Sequence, residues 1–284
     1  MITKDRQFLF TIFTPVYNGE KFIHRVIDSL QKLTYRNFEW IIVNDASTDN
    51  SDVIIRDFIE SVDWDITYIK KCSNAGKHIA WNEAAQIAKG EIFITLDCDD
   101  ACVPNALDFL NDKWNCYYDD ISVYGIDTLC IDPANNQICG TKYPKDDLRT
   151  NYDELCNIYN VSGEKWNSFR TEYMRKFPFP EIKAHYYTEC FLLYSLGEDY
   201  RVICFNEPLR LYYQEPLSLM HRRVVNINTL YMIVHYQRWH LRSMGFHLMK
   251  NNPQEFLRCF CELIRTWLKY LIMRLLRIYE LQRY

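Results

Sequence analysis

The sequence predicts an α/β fold, a mixed and mostly parallel central sheet with helices on both faces, followed by a helical C-terminal extension. Three observations carry the prediction. Apolar, β-branched runs alternate with amphipathic segments, giving four strand-then-helix units within about 110 residues, the signature of a parallel sheet wrapped by helices. The run Ile92, Phe93, Ile94, Thr95, Leu96 is continuous rather than alternating, as in a strand buried on both faces. From about residue 226 onward the pattern is helical, interrupted near Asn251, Asn252 and Pro253.

Taken in order, residues 8–14 form the first strand and 15–19 a breaker-rich loop. Within 20–33, Phe22, Ile23, Val26, Ile27 and Leu30 share one helical face. A second strand at 39–43 runs into a polar loop at 44–51 that ends in helix-capping residue types. Val53, Ile54, Phe58 and Ile59 give the next helix its apolar face. A short strand at 66–69 and an alanine-rich helix at 77–88, closed by Gly90, lead to the strand at 92–96. Neither a Gly-x-Gly-x-x-Gly fingerprint nor a Walker A loop is present. Beyond Cys116, strands are predicted at 121–126 and 129–131, a turn at 132–136 and a polar, irregular stretch at 141–162. Residues 166–177 read as a strand leading into a helix, 185–196 as a helix, and 200–205 and 209–213 as two further strands.

Composition bounds the function. Of 284 residues 48% are hydrophobic, ample for a core, and the net charge of −4 argues against nucleic acid as a partner. The 21 tyrosines suit stacking on bases and sugars as well as ordinary packing. Eleven cysteines without a Cys-x-x-Cys pair or a zinc spacing read as buried, reduced thiols. No apolar run is long enough to span a bilayer, and no secretory signal is expected from the first residues. The expected location is cytoplasmic, at most peripheral on the inner face of the cell membrane.

The strand at 92–96 ends in Asp97, Asp99 and Asp100, at the edge where open α/β sheets bind ligands. Crowded carboxylates repel one another. A divalent cation is the simplest compensation, and hard oxygen ligands suit Mg²⁺ or Mn²⁺. An Asp-rich helix cap ahead of Pro104 explains the same residues without a metal.

Four motifs now bear on identity. Thr14, Pro15, Val16, Tyr17 and Asn18 come first, then the stretch from Val43 through Asp45 to Ser51. Asn74, Ala75, Gly76, Lys77 and His78 follow, with Asn82, and Leu96 to Asp100 is the fourth. In that order, at those strand ends, the chain resembles glycosyltransferase family 2, of the GT-A fold. The weaker half, 166–213, resembles bacterial polysaccharide-building members. The resemblance implies a catalytic domain at 1–221, divided into a nucleotide-binding half at 1–115 and an acceptor-binding, catalytic half at 116–221, with 222–284 as the extension. Ala46 stands where the family usually has glycine, which predicts a slightly different turn. Thr188, Glu189 and Cys190 offer one acid where the family usually has two. Gln237, Arg238 and Trp239 lack the spacing of the processive signature, so transfer of a single sugar is favoured over polymerisation.

What the resemblance implies residue by residue is a nucleotide-sugar site. Asp45 accepts hydrogen bonds from uracil; Thr14, Pro15, Val16 and Tyr17 border the nucleoside; Lys77 steadies the diphosphate; Asp97 meets ribose or sugar. Cys98 is counted with the donor-binding residues of that motif, its side chain expected to turn into packing. Asp99 is the metal ligand, with Asp100 ligating or supporting and His221 a weaker third. Glu189 is the general base that deprotonates the acceptor, with Glu181 as its competitor. The implied reaction is an inverting transfer from a nucleotide-sugar, a UDP-sugar by preference, to a hydroxyl of a carbohydrate or lipid-linked sugar. Cell-surface polysaccharide synthesis is the setting. A nucleotidyltransferase, or a non-catalytic nucleotide- or sugar-binding protein on the same fold, is the alternative.

In the tail, Phe256, Phe260, Leu263, Ile264, Trp267, Leu268, Leu271, Ile272, Leu275 and Ile278 make a broad helical stripe. Arg258, Arg265, Lys269, Arg274, Arg277 and Arg283 mark its other side. Contact with an anionic membrane surface and packing against protein, in a homodimer or on the catalytic domain, both account for it.

Overall fold

The computed structural model describes residues 5–182, 187–214, 227–251 and 253–275. β1 (Phe10–Val16) leads through α1 (Ile23–Lys32), β2 (Phe38–Asn44), α2 (Ser51–Ser61), β3 (Ile66–Lys70) and α3 (Lys77–Ile87) to β4 (Ile92–Thr95). Next come β5 (Ala101–Cys102), α4 (Ala106–Tyr117), β6 (Val123–Asp132), β7 (Gln137–Ile138), β8 (Leu148–Thr150) and α5 (Tyr152–Asn157). β9 (Lys165–Arg170), α6 (Thr171–Lys176), α7 (Cys190–Asp199) and β10 (Arg201–Leu211) precede α8 (Ile227–Asn251) and α9 (Pro253–Leu275).

The strands form one sheet in the order β3-β2-β1-β4-β9-β6-β10-β5, with β7 beside β6 and β8 beside β10. β1, β2, β3 and β4 are mutually parallel, and β6 is parallel to β10. β9 lies antiparallel to both β4 and β6, so the two parallel groups run the same way. This is the mixed, mostly parallel sheet expected from the resemblance to the GT-A fold. Ile12, Trp40, Ile42, Ile94, Ile126, Trp166 and Ile203 pack in one core with Val26 and Leu30 of α1 and with Leu107, Leu110 and Trp114 of α4. Phe13, Phe93, Phe169 and Phe179 surround Trp81 of α3.

Several expectations are corrected. The strands expected at 121–126 and 129–131 are one, because Asp127 and Thr128 stay in the ladder opposite Asn167 and Trp166. The pair expected at 200–205 and 209–213 is also one strand, β10, whose register against β6 shifts at Pro208, a residue with no N–H to give to a ladder. The irregular stretch 141–162 contains β8 and α5, the latter started by the Asn151 side chain accepting from the Glu154 N–H at 2.9 Å. On α2, Ile54, Phe58 and Ile59 pack against the core as expected, but Val53 is exposed and the fully buried apolar residue is Ile55. The helix expected at 185–196 is α7, which starts at Cys190; residues 183–186 are outside the described set. All eleven cysteines are free, but of them only Cys102, Cys130 and Cys204 are buried, and Cys72, Cys116 and Cys261 are exposed.

The chain divides into two compact units. The first takes residues 1–74, 79–179 and 192–214, and holds the whole sheet. The second takes 75–78, 180–191 and 215–284. Within the second, α8 and α9 pack as a hairpin, with Phe256 over Gly245 and Tyr231 against Tyr270, ring centroids 5.8 Å apart. Tyr187 donates to or accepts from His235 Nδ1 at 3.0 Å, and Phe191 lies 4.7 Å from Trp239. The boundary expected at 221 falls among residues 215–226, outside the described set.

Gly90 joins α3 to β4 beneath β1. A Cβ there would sit 2.6 Å from the Thr11 nitrogen and 2.7 Å from the Leu9 carbonyl oxygen. Gly90→Ala should therefore destabilise the chain by about 1–3 kcal/mol, as overpacking does. Urea unfolding checks this, and an unchanged midpoint would mean that β1 and β4 are less tightly fixed than their shared backbone bonds imply.

Candidate active site

Parallel pairing brings three strand ends to one edge: Val16 is in register with Asn44, and Phe13 with Thr95. The chain leaves the sheet there in three adjacent loops. The first two are stitched together. Asn18 N–H donates to Ser47 Oγ at 2.9 Å, Gly19 N–H to Ser51 Oγ at 2.9 Å and Glu20 N–H to Asp49 Oδ2 at 3.0 Å. In return Thr48 N–H donates to Asn18 Oδ1 at 2.8 Å and Asn50 N–H to Glu20 Oε2 at 2.9 Å. Asn18 adopts the left-handed conformation, which asparagine tolerates better than most residues.

Asp45 sits in this lattice, 3% exposed, with its N–H on the Val16 carbonyl at 2.8 Å and Lys71 Nζ 3.8 Å from Oδ1. The different turn expected at Ala46 does not occur: its φ is 63°, the glycine-like region, at a cost of roughly 1 kcal/mol for an L-residue. Tyr17 is exposed and Pro15 half-buried. Thr14 and Val16 turn their side chains inward. Thr14 is fully buried with Oγ1 accepting from Trp40 Nε1 at 2.9 Å, and Val16 belongs to the core. Their side chains support the loop and have no surface for a ligand.

The third loop carries the carboxylates, and the structure supplies the cation that compensates them. Arg210, on β10 and 7% exposed, donates through Nη2 to Asp97 Oδ2 at 2.8 Å and through Nε to Asp100 Oδ2 at 2.8 Å, with a second bond from Nη2 to Asp100. Asp100 Oδ1 accepts the Tyr213 N–H at 3.0 Å. Both oxygens of Asp100 are thus engaged within the protein. Asp99 is half-buried; burial, then the charges of Asp97 and Asp100, pushes its carboxyl up to about 6. Its backbone carbonyl accepts from Arg25 Nη1 at 3.0 Å, and that guanidinium lies 4.1 Å above the Tyr213 ring. Cys98 turns away and packs over Gly19, its Sγ 3.2 Å from where a Cβ would stand.

In the second unit, Lys77 Nζ and Glu189 Oε1 form an ion pair at 2.7 Å. Lys77 begins α3 and Glu189 immediately precedes α7. The residues expected to hold the diphosphate and to take the proton are therefore partners. Glu181 is exposed. His221 lies outside the described residues.

The fit of a divalent cation can be tested against the donor set. No cluster of three or more His, Cys, Asp or Glu placed to hold a metal occurs among the described residues. Arg210 claims Asp97 and Asp100, leaving Asp99 as the carboxylate that it does not bond. Mg²⁺ is commonly held by one or two carboxylates together with substrate phosphates, so a hard cation shared between Asp99 and a bound diphosphate fits. A site built from protein ligands alone does not. Arg210 and Arg25 were not singled out from sequence. The signal for Arg210 was there, an arginine set between Leu209 and Leu211 in an expected strand.

Comparison with known proteins places this geometry. The family model described as Glycosyl transferase family 2 matches residues 11–193. Glycosyltransferase GlyA of Streptococcus pneumoniae is 36% identical over 113 residues, 40% of this chain and 16% of that protein. The teichoic acid poly(glycerol phosphate) polymerase of Staphylococcus epidermidis is 33% identical over 105 residues, 37% of this chain and 15% of that protein. The matched stretch is thus a small fraction of these relatives' length. Among solved structures, S. aureus TarS 1-349 in complex with UDP-GlcNAc superposes with a TM-score of 0.65 at 17% identity, covering 90% of this chain and 72% of that one. The mannosyltransferase PcManGT of Pyrobaculum calidifontis, in complex with GDP-Man and Mn²⁺, gives 0.57 at 19% identity, covering 82% and 64%. At these identities the likeness is one of fold.

Removing Arg210 should leave Asp100 buried and uncompensated, at a cost of about 3–5 kcal/mol. Arg210→Met is therefore expected to lower stability at neutral pH by that order. The deficit should shrink as acid protonates the carboxylates, whose values burial already raises. Urea unfolding at neutral and mildly acid pH checks it; a deficit independent of pH would mean that Arg210 acts through packing.

Proposed function

Because the chain belongs to glycosyltransferase family 2, we propose that it transfers one sugar from a UDP-sugar to a hydroxyl of a carbohydrate or lipid-linked acceptor in cell-surface polysaccharide synthesis. The observation that carries this reading is the gathering of Tyr17, Asp45 and the Asp97–Asp100 loop at one sheet edge within the family match. The neighbours' bound UDP-GlcNAc and GDP-Man support a nucleotide-sugar donor. Nothing among these matches supports a nucleotidyltransferase.

In the proposed complex Asp45 accepts the ring N–H of uracil and Tyr17 borders the base. Asp97 meets ribose or sugar. Asp99 would hold a divalent cation, Mn²⁺ or Mg²⁺, shared with the diphosphate, and such a cation would supply charge neutralisation for the leaving group. The acceptor oxygen attacks C1 as the bond from C1 to the diphosphate oxygen breaks, which inverts the centre. Glu189 takes the acceptor's proton. The Lys77–Glu189 ion pair has to open before either residue acts in this way.

Two measurements test the reading. By calorimetry UDP should bind more tightly than GDP or ADP, and Asp45→Ala should erase the preference; tighter GDP binding would reassign the donor. Glu189→Gln should keep UDP affinity and lose about 10²–10⁴-fold in kcat, the usual worth of a general base. If Glu181→Gln shows that pattern instead, the base is Glu181.

A further inference from the structure

The helix α9 has two apolar faces. Phe256, Cys259, Leu263, Thr266, Tyr270 and Met273 are half-buried, and Phe256 and Tyr270 meet α8. The other face repeats at helical spacing through Leu257, Phe260, Ile264, Trp267, Leu268 and Leu275. All six are exposed, Leu257 by 60%, Trp267 by 47% and Leu275 by 80%. The broad stripe read from sequence is thus two surfaces, one of which α8 accounts for.

Charge identifies what meets the other. Arg258, Arg265 and Lys269 lie along one flank of the exposed face and Arg274 along the opposite one, all four exposed. The acids of α9 are Glu255, held by Arg258 through two hydrogen bonds, and Glu262. Four cations against two acids leave a surplus of positive charge beside an apolar strip. A second copy of the same helix would bring a second set of cations to the seam. An anionic membrane surface supplies both the apolar layer and the counter-charge. Trp267, midway along the strip, has the amphipathic ring that favours the headgroup level. No helix among the described residues is long and apolar enough to cross a membrane, so the contact lies in the interface plane. We propose that α9 docks the chain on an anionic lipid surface through the Leu257–Phe260–Ile264–Trp267–Leu268–Leu275 face and its basic flanks. This inference is independent of the transfer reaction.

Flotation of the full chain tests it, with phosphatidylcholine vesicles made with or without phosphatidylglycerol. The chain is expected to float with the anionic vesicles alone and to be released by salt, as screening shortens the reach of the cations. Arg265→Glu combined with Lys269→Glu should weaken partition by at least the roughly fivefold expected for each cation lost. Trp267→Ser with Leu268→Ser should abolish it, while circular dichroism and UDP binding stay unchanged, since all four positions are exposed. A chain that remains at the bottom with anionic vesicles overturns the proposal. If the Trp267/Leu268 change then dissolves a dimer, a second copy is the occupant. Equal flotation with both kinds of vesicle, undiminished by the charge reversals, overturns it as well.

Discussion

Arg210 joins Asp97 and Asp100 across 113 and 110 residues of sequence, inside the protein. Each of these groups alone would be costly to bury, since desolvating one ion takes several kcal/mol in a real interior. Together, with the Tyr213 N–H on the second oxygen of Asp100, they hold the loop after β4 against β10. A buried ion pair of this kind adds little net stability over an apolar substitute. What it supplies is placement. β10 enters late in the chain, and its docking through Arg210 determines how the carboxylate loop stands.

The loops that depend on this arrangement are rigid for a second reason. Asn18, Ser47, Thr48, Asp49 and Ser51 exchange side-chain and backbone hydrogen bonds across the gap between the first two strand ends. This satisfies backbone groups that would otherwise face a crevice, and leaves Tyr17 standing outward. The positive φ of Ala46 shows how firmly the loop is held, because the residue keeps a glycine-like conformation that its own side chain opposes. Asp99 is left as the carboxylate that Arg210 does not bond, beside a pair whose charge one guanidinium partly offsets. Such a group can take a cation shared with a diphosphate without the repulsion that three unpaired acids would impose.

Much of this was legible in the sequence. Continuous apolar runs gave the strands β1, β2 and β4, because strands covered on both faces have no polar side to show. Helical spacing gave the buried face of α1, with Ile23, Val26, Ile27 and Leu30 all inside. The misses have physical causes. Asp127 and Thr128 look like a turn locally, yet cross-strand partners on β9 keep them extended. Thr14 belongs to a recognisable motif, but only the fold places Trp40 against its hydroxyl. Arg210 does not announce itself locally, because the partners that its guanidinium compensates lie 110 and 113 residues away in sequence.

The central claim is that the carboxylate loop, preset by Arg210 and completed at Asp99, serves transfer from a nucleotide-sugar. The most direct test incubates the full chain with a panel of nucleotide-sugars and Mn²⁺ and measures free nucleotide. The account predicts that one UDP-sugar is consumed, that EDTA stops the release, and that Asp99→Asn stops it while the chain stays folded. Release from a UDP-sugar that persists in EDTA and in Asp99→Asn, or no consumption of any nucleotide-sugar, would contradict it.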